Sequence, residues 1–351
     1  MQDRVKIGIL GASGYTGAEL LRLLHGHPYV EIVFLTANRH AGQAMASVFP
    51  HLLGIPLPLL VREEDADIDA ADVIFCALPH GMTQTTIAAA LQRAPTKKVI
   101  DLSADFRLID PAAYHTWYCH EHQAPALQRE AVYGLTEVHR TAIAAARLIA
   151  NPGCYTTTAL LPLIPLTAAG LIEADGLVID AKSGVSGAGR EAKQETLFTE
   201  TAEGLRAYGV AGHRHVAEIE QELSRASGGA AVTVSFTPHL IPMNRGILVT
   251  CYATLSPGTS IAALRACLED QYGDEPFVHL VPIDRFPSTR DTRGTNQCRI
   301  GVYADRVAGR AIIIAVTDNL VKGASGQAVQ NMNLMCGIPE ITGLRVLALF
   351  P

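Results

Sequence analysis

One cysteine in this chain stands where a sulfur can become a nucleophile. Cys154 follows Asn151-Pro152-Gly153, a run that continues neither helix nor strand, because proline fixes φ and glycine admits conformations that other residues avoid. The apolar, helix-like run 159–166 comes next, which predicts Cys154 at or near a helix N-terminus, where backbone N–H groups and the macrodipole favour a thiolate. A small buried hydrophobe is the other fate of a free cysteine. Two basic groups could serve such a sulfur. His213-Arg214-His215 opens a helical pattern that runs to about Ser227. The two histidines, at i and i+2, share no helical face and lack further ligands, so no metal is expected. In loop geometry one histidine serves as acid/base and Arg214 as an anion contact; a solvated basic turn is the alternative. Arg107 ends the polar cluster Ser103-Ala104-Asp105-Phe106-Arg107, and its planar fork matches carboxylate and phosphate oxygens or, equally, a neighbouring acid.

The elements that must position these groups begin with a strand over 5–10, apolar enough for the centre of a parallel sheet. It runs into Gly11-Ala12-Ser13-Gly14-Tyr15-Thr16-Gly17 and then a helical pattern over 18–24. Strand, glycine turn and helix is the dinucleotide-binding arrangement, with the pyrophosphate at the helix N-terminus. The second strand, 31–35, ends without the acidic residue that holds the ribose of NAD. Arg39 follows instead, and a cation there favours NADP over NAD unless it is merely solvated. A strand over 73–78 reaches Leu78 and Pro79, at the sheet edge where cofactors lie. His80 is expected to cap the next helix, 82–93. A strand over 99–102 leads into the Ser103 cluster. The 110–128 interval is expected to be an irregular insertion packing its aromatic residues, and the strand 148–150 delivers the chain to the cysteine.

Beyond that point the pattern changes. A strand over 177–181 precedes a loop rich in glycine and serine, 182–190, whose small residues let a backbone approach a cofactor or a partner domain. Strands over 232–236, 246–255, 277–280 and 311–316 predict a sheet-rich α+β second domain, with 237–246 as a connection. A final glycine-containing run, 318–326, leads to a helix over 327–336 that is expected to rejoin the first domain. The expected fold is thus α/β, a Rossmann-type domain formed by 1–150 together with 318–351, plus an α+β catalytic and oligomerisation domain, 151–317, with a large mixed sheet.

Bulk properties agree with two domains and a small-molecule partner. The chain has 351 residues, 48% hydrophobic and 18% charged, with a net charge of −6, which offers no footprint for nucleic acid or a membrane surface. An odd set of seven cysteines without a CxxC pair, in a chain beginning Met1-Gln2-Asp3-Arg4, predicts a reduced, cytoplasmic setting. No apolar run reaches the roughly 18 residues of a membrane-spanning helix. The long second sheet predicts self-association, as a dimer or tetramer.

Taken together and in order, Gly11-Ala-Ser-Gly-Tyr-Thr-Gly-Ala-Glu-Leu20, Leu102-Ser-Ala-Asp-Phe-Arg107, Asn151-Pro-Gly-Cys-Tyr155, His213-Arg-His215, Phe236-Thr-Pro-His-Leu-Ile-Pro-Met-Asn-Arg-Gly246 and Gly323-Ala-Ser-Gly-Gln-Ala-Val-Gln-Asn-Met332 resemble the N-acetyl-γ-glutamyl-phosphate reductases of arginine biosynthesis, relatives of aspartate-semialdehyde dehydrogenase. The chain departs from that pattern in Thr36-Ala37-Asn38-Arg39, where members often carry a Thr-Ser-Arg run, and in Ala217, where they tend to have proline.

The resemblance implies NADPH-dependent reduction of an N-acetylglutamyl phosphate to its semialdehyde through a thioester on Cys154. It implies His215 as the acid/base, with His213 the nearby alternative. Ser103, Arg107, Tyr155 and Arg214 are the substrate set. The cofactor set is Gly11, Ser13, Gly14, Tyr15, Thr16, Gly17, Arg39, Leu78 and Pro79, with Asn319 and, from the 183–189 loop, Ser183, Gly184 and Gly187. Two rivals remain at this level: the same chemistry on an aminoadipyl phosphate presented by an acidic carrier protein in lysine biosynthesis, and an NADPH-sensing regulator without turnover, which has no use for an activated cysteine.

Overall fold

The structure, a computed structural model, describes residues 4–350. They divide into two compact units, 4–152 with 324–345 and 153–323 with 346–350. The first holds a seven-stranded sheet built from β1 (Val5–Leu10), β2 (Val30–Thr36), β3 (Leu60–Val61), β4 (Val73–Cys76), β5 (Lys98–Asp101), β6 (Val132–Tyr133) and β7 (Leu148–Ala150). Their order is β3-β2-β1-β4-β5-β7-β6, and every pairing is parallel. That is the doubly wound arrangement. Ile7, Ile9, Phe75, Ile100, Leu148 and Ile149 are fully buried, as expected of strands covered on both faces. The chain order reverses beside β1, and the turns after β1 and β4 both leave at the carboxyl edge where such folds bind ligands.

The second unit carries β8 (Leu177–Gly184), β9 (Arg206–Ala207), β10 (Val234–Ile241), β11 (Ile247–Thr254), β12 (Val278–Leu280), β13 (Cys298–Ala304) and β14 (Arg310–Thr317). They form a mixed sheet in the order β12-β13-β14-β11-β8-β10-β9. Burial alternates along β8, β10 and β11. Ile179, Phe236, Val249 and Cys251 face inward, under helices Cys154–Ala168 and His215–Ala226. Asp180, Lys182, His239 and Tyr252 stand half-buried on the opposite face.

Helix Cys154–Ala168 is the spine of this unit: Tyr155 to Thr167 are all buried, so it is apolar all round, as a core helix must be. Pro165 lies inside it and lacks the N–H that would reach the Leu161 carbonyl. The Tyr272 hydroxyl donates to that carbonyl instead.

Several expectations change. Residues 110–128 are not irregular but form helices Pro111–Tyr118 and Pro125–Glu130, each with proline in its first turn, and Asp110 caps the first by accepting from the Ala112 N–H. Strand β10 continues to Ile241, so half of the 237–246 connection is sheet, paired with β8 through His239 opposite Lys182. Residues 318–323 stay with the second unit. The buried Asp318 carboxylate accepts from the N–H groups of Gly294, Leu320 and Val321, which fastens that segment to the loop before β13. The tail beyond 345 also belongs there, where the Leu349 N–H donates to the Arg293 carbonyl.

Candidate active site

Gly153, extended at φ −68 and ψ 154, is the N-cap of helix Cys154–Ala168, and Cys154 is its first helical residue. The sulfur is thus carried on a turn whose N–H groups have no intrahelical acceptor, the setting that stabilises a thiolate. One buried carboxylate ties this helix start to another. Glu218, in the first turn of helix His215–Ala226, accepts the Gly153 N–H at 2.8 Å and the Thr156 hydroxyl at 2.8 Å. Fully buried Ile219 and Leu223 hold the second helix to the core, each by about 2 kcal/mol. Room for the cysteine comes from Gly323. A Cβ there would lie 2.8 Å from the Cys154 Cβ and 3.2 Å from its Cα.

The histidines sit in an aromatic cluster beside that turn. The His213 and His215 rings are 4.6 Å apart, and both meet the Tyr155 ring edge-on, at 5.8 and 5.9 Å. The His215 N–H donates to His213 Nδ1 at 3.1 Å, which fixes His213 as the Nε2–H tautomer. Burial and the neighbouring Arg214 charge hold the His213 pKa down to about 4, so this ring is neutral at physiological pH. The Tyr208 hydroxyl donates to the Tyr155 hydroxyl at 3.1 Å, and Tyr155 donates to the His239 carbonyl at 3.2 Å. Burial pushes the Tyr208 pKa up to about 12, and the charge of Cys154 adds to the rise; burial foremost, then the neighbouring Tyr208 and after it Cys154, raise Tyr155. Both phenols stay protonated beside the sulfur. His215 is the first residue of its helix and Arg214 the exposed N-cap.

Ser183 and Gly184 are not loop residues but the last two of β8, followed by the single turn Val185–Ala188. A Cβ on Gly184 would meet the Asn244 carbonyl at 2.8 Å, and one on Gly187 the Ser183 Oγ at 2.9 Å. Asn319 binds these turns together: Oδ1 accepts the Gly246 N–H at 2.8 Å, and Nδ2 donates to Ser186 Oγ at 2.9 Å. Its amide therefore organises the loop that the sequence reading assigned to the cofactor.

In the first unit the glycine turn has the shape that a dinucleotide needs. Gly11 has φ +77, and a Cβ on it would lie 2.6 Å from the Ala77 carbonyl and 3.2 Å from the Leu78 side chain; one on Gly17 would lie 2.4 Å from the Ala12 carbonyl. Thr36, at the end of β2, accepts the Gly11 N–H on its hydroxyl at 3.0 Å. Helix Tyr15–His25 starts at Gly14 with no side-chain cap and no acidic residue in its first turn, so Tyr15, Thr16 and Gly17 present their N–H groups where an anion binds. These features fit a pyrophosphate. Arg39 is exposed in the Asn38–His40 turn after β2. It does not line the neighbouring groove, to which Asn38, Arg62, Glu63 and Thr86 contribute.

Ser103 and Arg107 belong to the same unit and are buried. The Ser103 hydroxyl donates to Asp101 at 2.6 Å and accepts the Asp105 N–H at 3.1 Å. Arg107 donates from Nε to the Asn151 carbonyl at 2.8 Å and from Nη2 to the Leu102 carbonyl at 3.2 Å. Arg107 thus clamps the chain just ahead of the cysteine turn. Helix Thr83–Arg93 has no cap from its own N-cap residue, and its Thr83 N–H is taken by the Asp105 carboxylate; the His80 ring packs on Tyr118. Glu218, Gly323, Tyr208 and Thr36 escaped the sequence reading, because each acts on a residue far away in the chain. Glu218, three residues after His215 at the head of an amphipathic helix, was the one with a local signal.

The family descriptions "Semialdehyde dehydrogenase, NAD binding domain" and "Semialdehyde dehydrogenase, dimerisation domain" match residues 6–146 and 154–319. The chain is 59% identical to the N-acetyl-gamma-glutamyl-phosphate reductase of Rhodospirillum rubrum over the whole of both chains. It is 55% identical to a probable chloroplastic N-acetyl-gamma-glutamyl-phosphate reductase of Arabidopsis thaliana, over 99% of this chain and 86% of that protein. Among solved structures it is similar to aspartate semialdehyde dehydrogenase II of Vibrio cholerae complexed with ASA, with a TM-score of 0.73, 19% identity, and 96% of this chain and 99% of that one covered. At that identity the likeness shows the fold alone.

Proposed function

The chain belongs to the semialdehyde dehydrogenase family, among the N-acetyl-gamma-glutamyl-phosphate reductases, and from that premise we infer that it reduces N-acetyl-L-glutamyl 5-phosphate to N-acetyl-L-glutamate 5-semialdehyde and phosphate in arginine biosynthesis. The observation that carries the reading is Cys154 on the first turn of a core helix, beside a histidine pair and two protonated phenols. The Cys154 thiolate attacks the acyl carbon; the C–S bond forms as the C–O bond to phosphate breaks, leaving a thioester. NADPH, when bound, supplies the hydride that reduces this ester. His215 delivers a proton to the developing oxyanion and takes it back as the carbonyl re-forms and the C–S bond breaks, which releases the aldehyde and the thiolate. His213, neutral and fixed in one tautomer by the His215 N–H, orients that segment. Arg214 is proposed as the contact for the substrate's carboxylate or phosphate, and Tyr155 as a wall of the acyl site.

Gly11, Gly14 and Gly17, with the N–H groups of Tyr15 and Thr16, would hold the pyrophosphate of NADPH, and Arg39 would meet its 2′-phosphate. The second unit matches a dimerisation domain; the half-buried sheet face with Tyr252, Ile312 and Ile314 is proposed as the surface of a homo-oligomer. Among the described residues no helix is long and apolar enough to cross a membrane, and a cytoplasmic enzyme is proposed. The test is phosphate-dependent oxidation of N-acetylglutamate semialdehyde by NADP, with wild type against Cys154→Ser. Turnover in the wild type and its loss in the variant support the reading. Equal rates in the two would remove Cys154 from the chemistry, and no turnover in either, with NADPH still bound, would point to a carrier-linked substrate.

A further inference from the structure

The first unit contains a buried carboxylate that the chemistry above does not use. Asp105 has no exposed surface, and four donors converge on it. The Gly81 N–H points at both oxygens, 2.7 and 2.9 Å away; the Thr83 N–H and hydroxyl reach Oδ2 at 3.2 and 2.7 Å; the Tyr114 hydroxyl reaches Oδ1 at 3.0 Å. Two of these donors belong to the start of helix Thr83–Arg93. That helix cannot cap itself, because Met82 at its N-cap has φ −100 and ψ −18, whereas a capping side chain needs an extended backbone. Asp105 supplies the acceptor from another loop. Its other backbone donor, Gly81, has φ +83 and closes the turn in which the Met82 N–H donates to the Pro79 carbonyl. This turn carries Leu78 and Pro79 away from β4, and Leu78 lies against Gly11 of the glycine turn.

We propose that Asp105 is a positioning residue for the cofactor. Its carboxylate sets the Leu78–Gly81 turn against the glycine turn, and its charge fills the N-terminus of helix Thr83–Arg93. Of the helix starts that follow β1 and β4, only that of Tyr15–His25 is then left for a pyrophosphate. Anions are drawn to open helix N-termini, and Asp105 occupies one of the two. The inference rests on reading residues 11–17 and 78–79 as an NADPH site.

The test is direct titration of NADPH fluorescence, without substrate, on wild type, Asp105→Asn and Tyr114→Phe, with Tm measured for each. In Asp105→Asn the charge is lost and one of the two oxygens becomes an N–H₂ group, which cannot accept from the donors that face it. Loss of charged hydrogen bonds at the turn is expected to weaken NADPH binding about tenfold or more. Tyr114→Phe removes one donor to the same carboxylate without touching the turn, and is expected to lower Tm while NADPH affinity stays within about twofold. If Asp105→Asn binds NADPH as wild type does, Asp105 is only a helix cap and the proposal fails. If Tyr114→Phe weakens binding as much as Asp105→Asn, the effect is general loosening and the proposal also fails. A wild type that binds no NADPH overturns the cofactor reading, and the inference with it.

Discussion

Adding one methyl group behind the nucleophile tests how tightly the fold holds it. In Gly323→Ala the new Cβ would be placed 2.8 Å from the Cys154 Cβ, 3.2 Å from its Cα and 3.3 Å from the Asp318 carbonyl. Carbon atoms in contact sit about 3.5–4.0 Å apart, so the overlap is roughly 0.7 Å. Neither neighbour is the loose end of a side chain. Cys154 begins a helix whose next thirteen residues are buried, its N-cap is bonded to Glu218, and the Gly323 N–H is bonded to the Asp318 carbonyl. Overpacking of this kind costs about 1–3 kcal/mol, which in a protein of this size lowers Tm by roughly 2–10 °C. A sulfur shifted by something under about 1 Å loses up to ~100-fold in turnover. The assay is kcat for the semialdehyde oxidation together with the rate of Cys154 alkylation by iodoacetamide, read by peptide mapping because Cys154 is half-buried and Cys119 is exposed. Gly26→Ala serves as control, since a Cβ there meets nothing within 4 Å. Wild-type kcat and alkylation rate in Gly323→Ala would show that the helix start is not confined, and would refute the positioning argument.

Three further outcomes follow from the geometry. Gly17→Ala puts a Cβ 2.4 Å from the backbone carbonyl of Ala12, so NADPH affinity by titration falls at least about tenfold, while Cys154 alkylation is unchanged. His213 has a depressed pKa, about 4; its contribution to stability is present above the unfolded value near 6.5 and is lost as pH falls through about 4. Urea melts of wild type and His213→Asn should therefore diverge in slope over that window, and the near-neutral limb of the pH–rate profile should survive in the variant. Asp101 shows the opposite sign. Burial foremost, and the neighbouring Asp105, raise its pKa to about 7, so the stability it favours is complete below the unfolded pKa near 4 and is lost as pH rises through about 7. Asp101→Asn, which mimics the protonated acid, should show a flatter pH dependence between those values, measured by urea melts.

Much of the frame is written in local sequence, because parallel strands are apolar runs and glycine turns are short. The strands that carry Gly11, the Ser103 cluster and Cys154 could be placed from their hydrophobic residues alone. Strand β13 could not: Cys-Arg-Ile-Gly-Val-Tyr-Ala mixes polar and small residues, and its identity comes from pairing with β14. Helix Ile261–Tyr272 was also missed, although Ser260 caps it by accepting the Ala263 N–H. At the site, residue types could be read but not their partners. Nothing local links Gly153 to Glu218 or Cys154 to Gly323, and Asn319 gave no sign that both ends of its amide would be taken by the Gly246 and Ser186 turns. His80 was expected to cap a helix because it lies close to it in sequence; the acceptor instead comes from Asp105, twenty-four residues beyond Gly81.

A covalent acyl group on Cys154 is the intermediate through which the proposed reaction runs. Wild type mixed with N-acetylglutamyl phosphate in the absence of NADPH should release phosphate and gain the mass of one N-acetylglutamyl group, mapped by peptide analysis to Cys154, and addition of NADPH should remove that mass as semialdehyde appears. An enzyme that turns over yet never carries the adduct, or a Cys154→Ser variant that turns over at the wild-type rate, would contradict it.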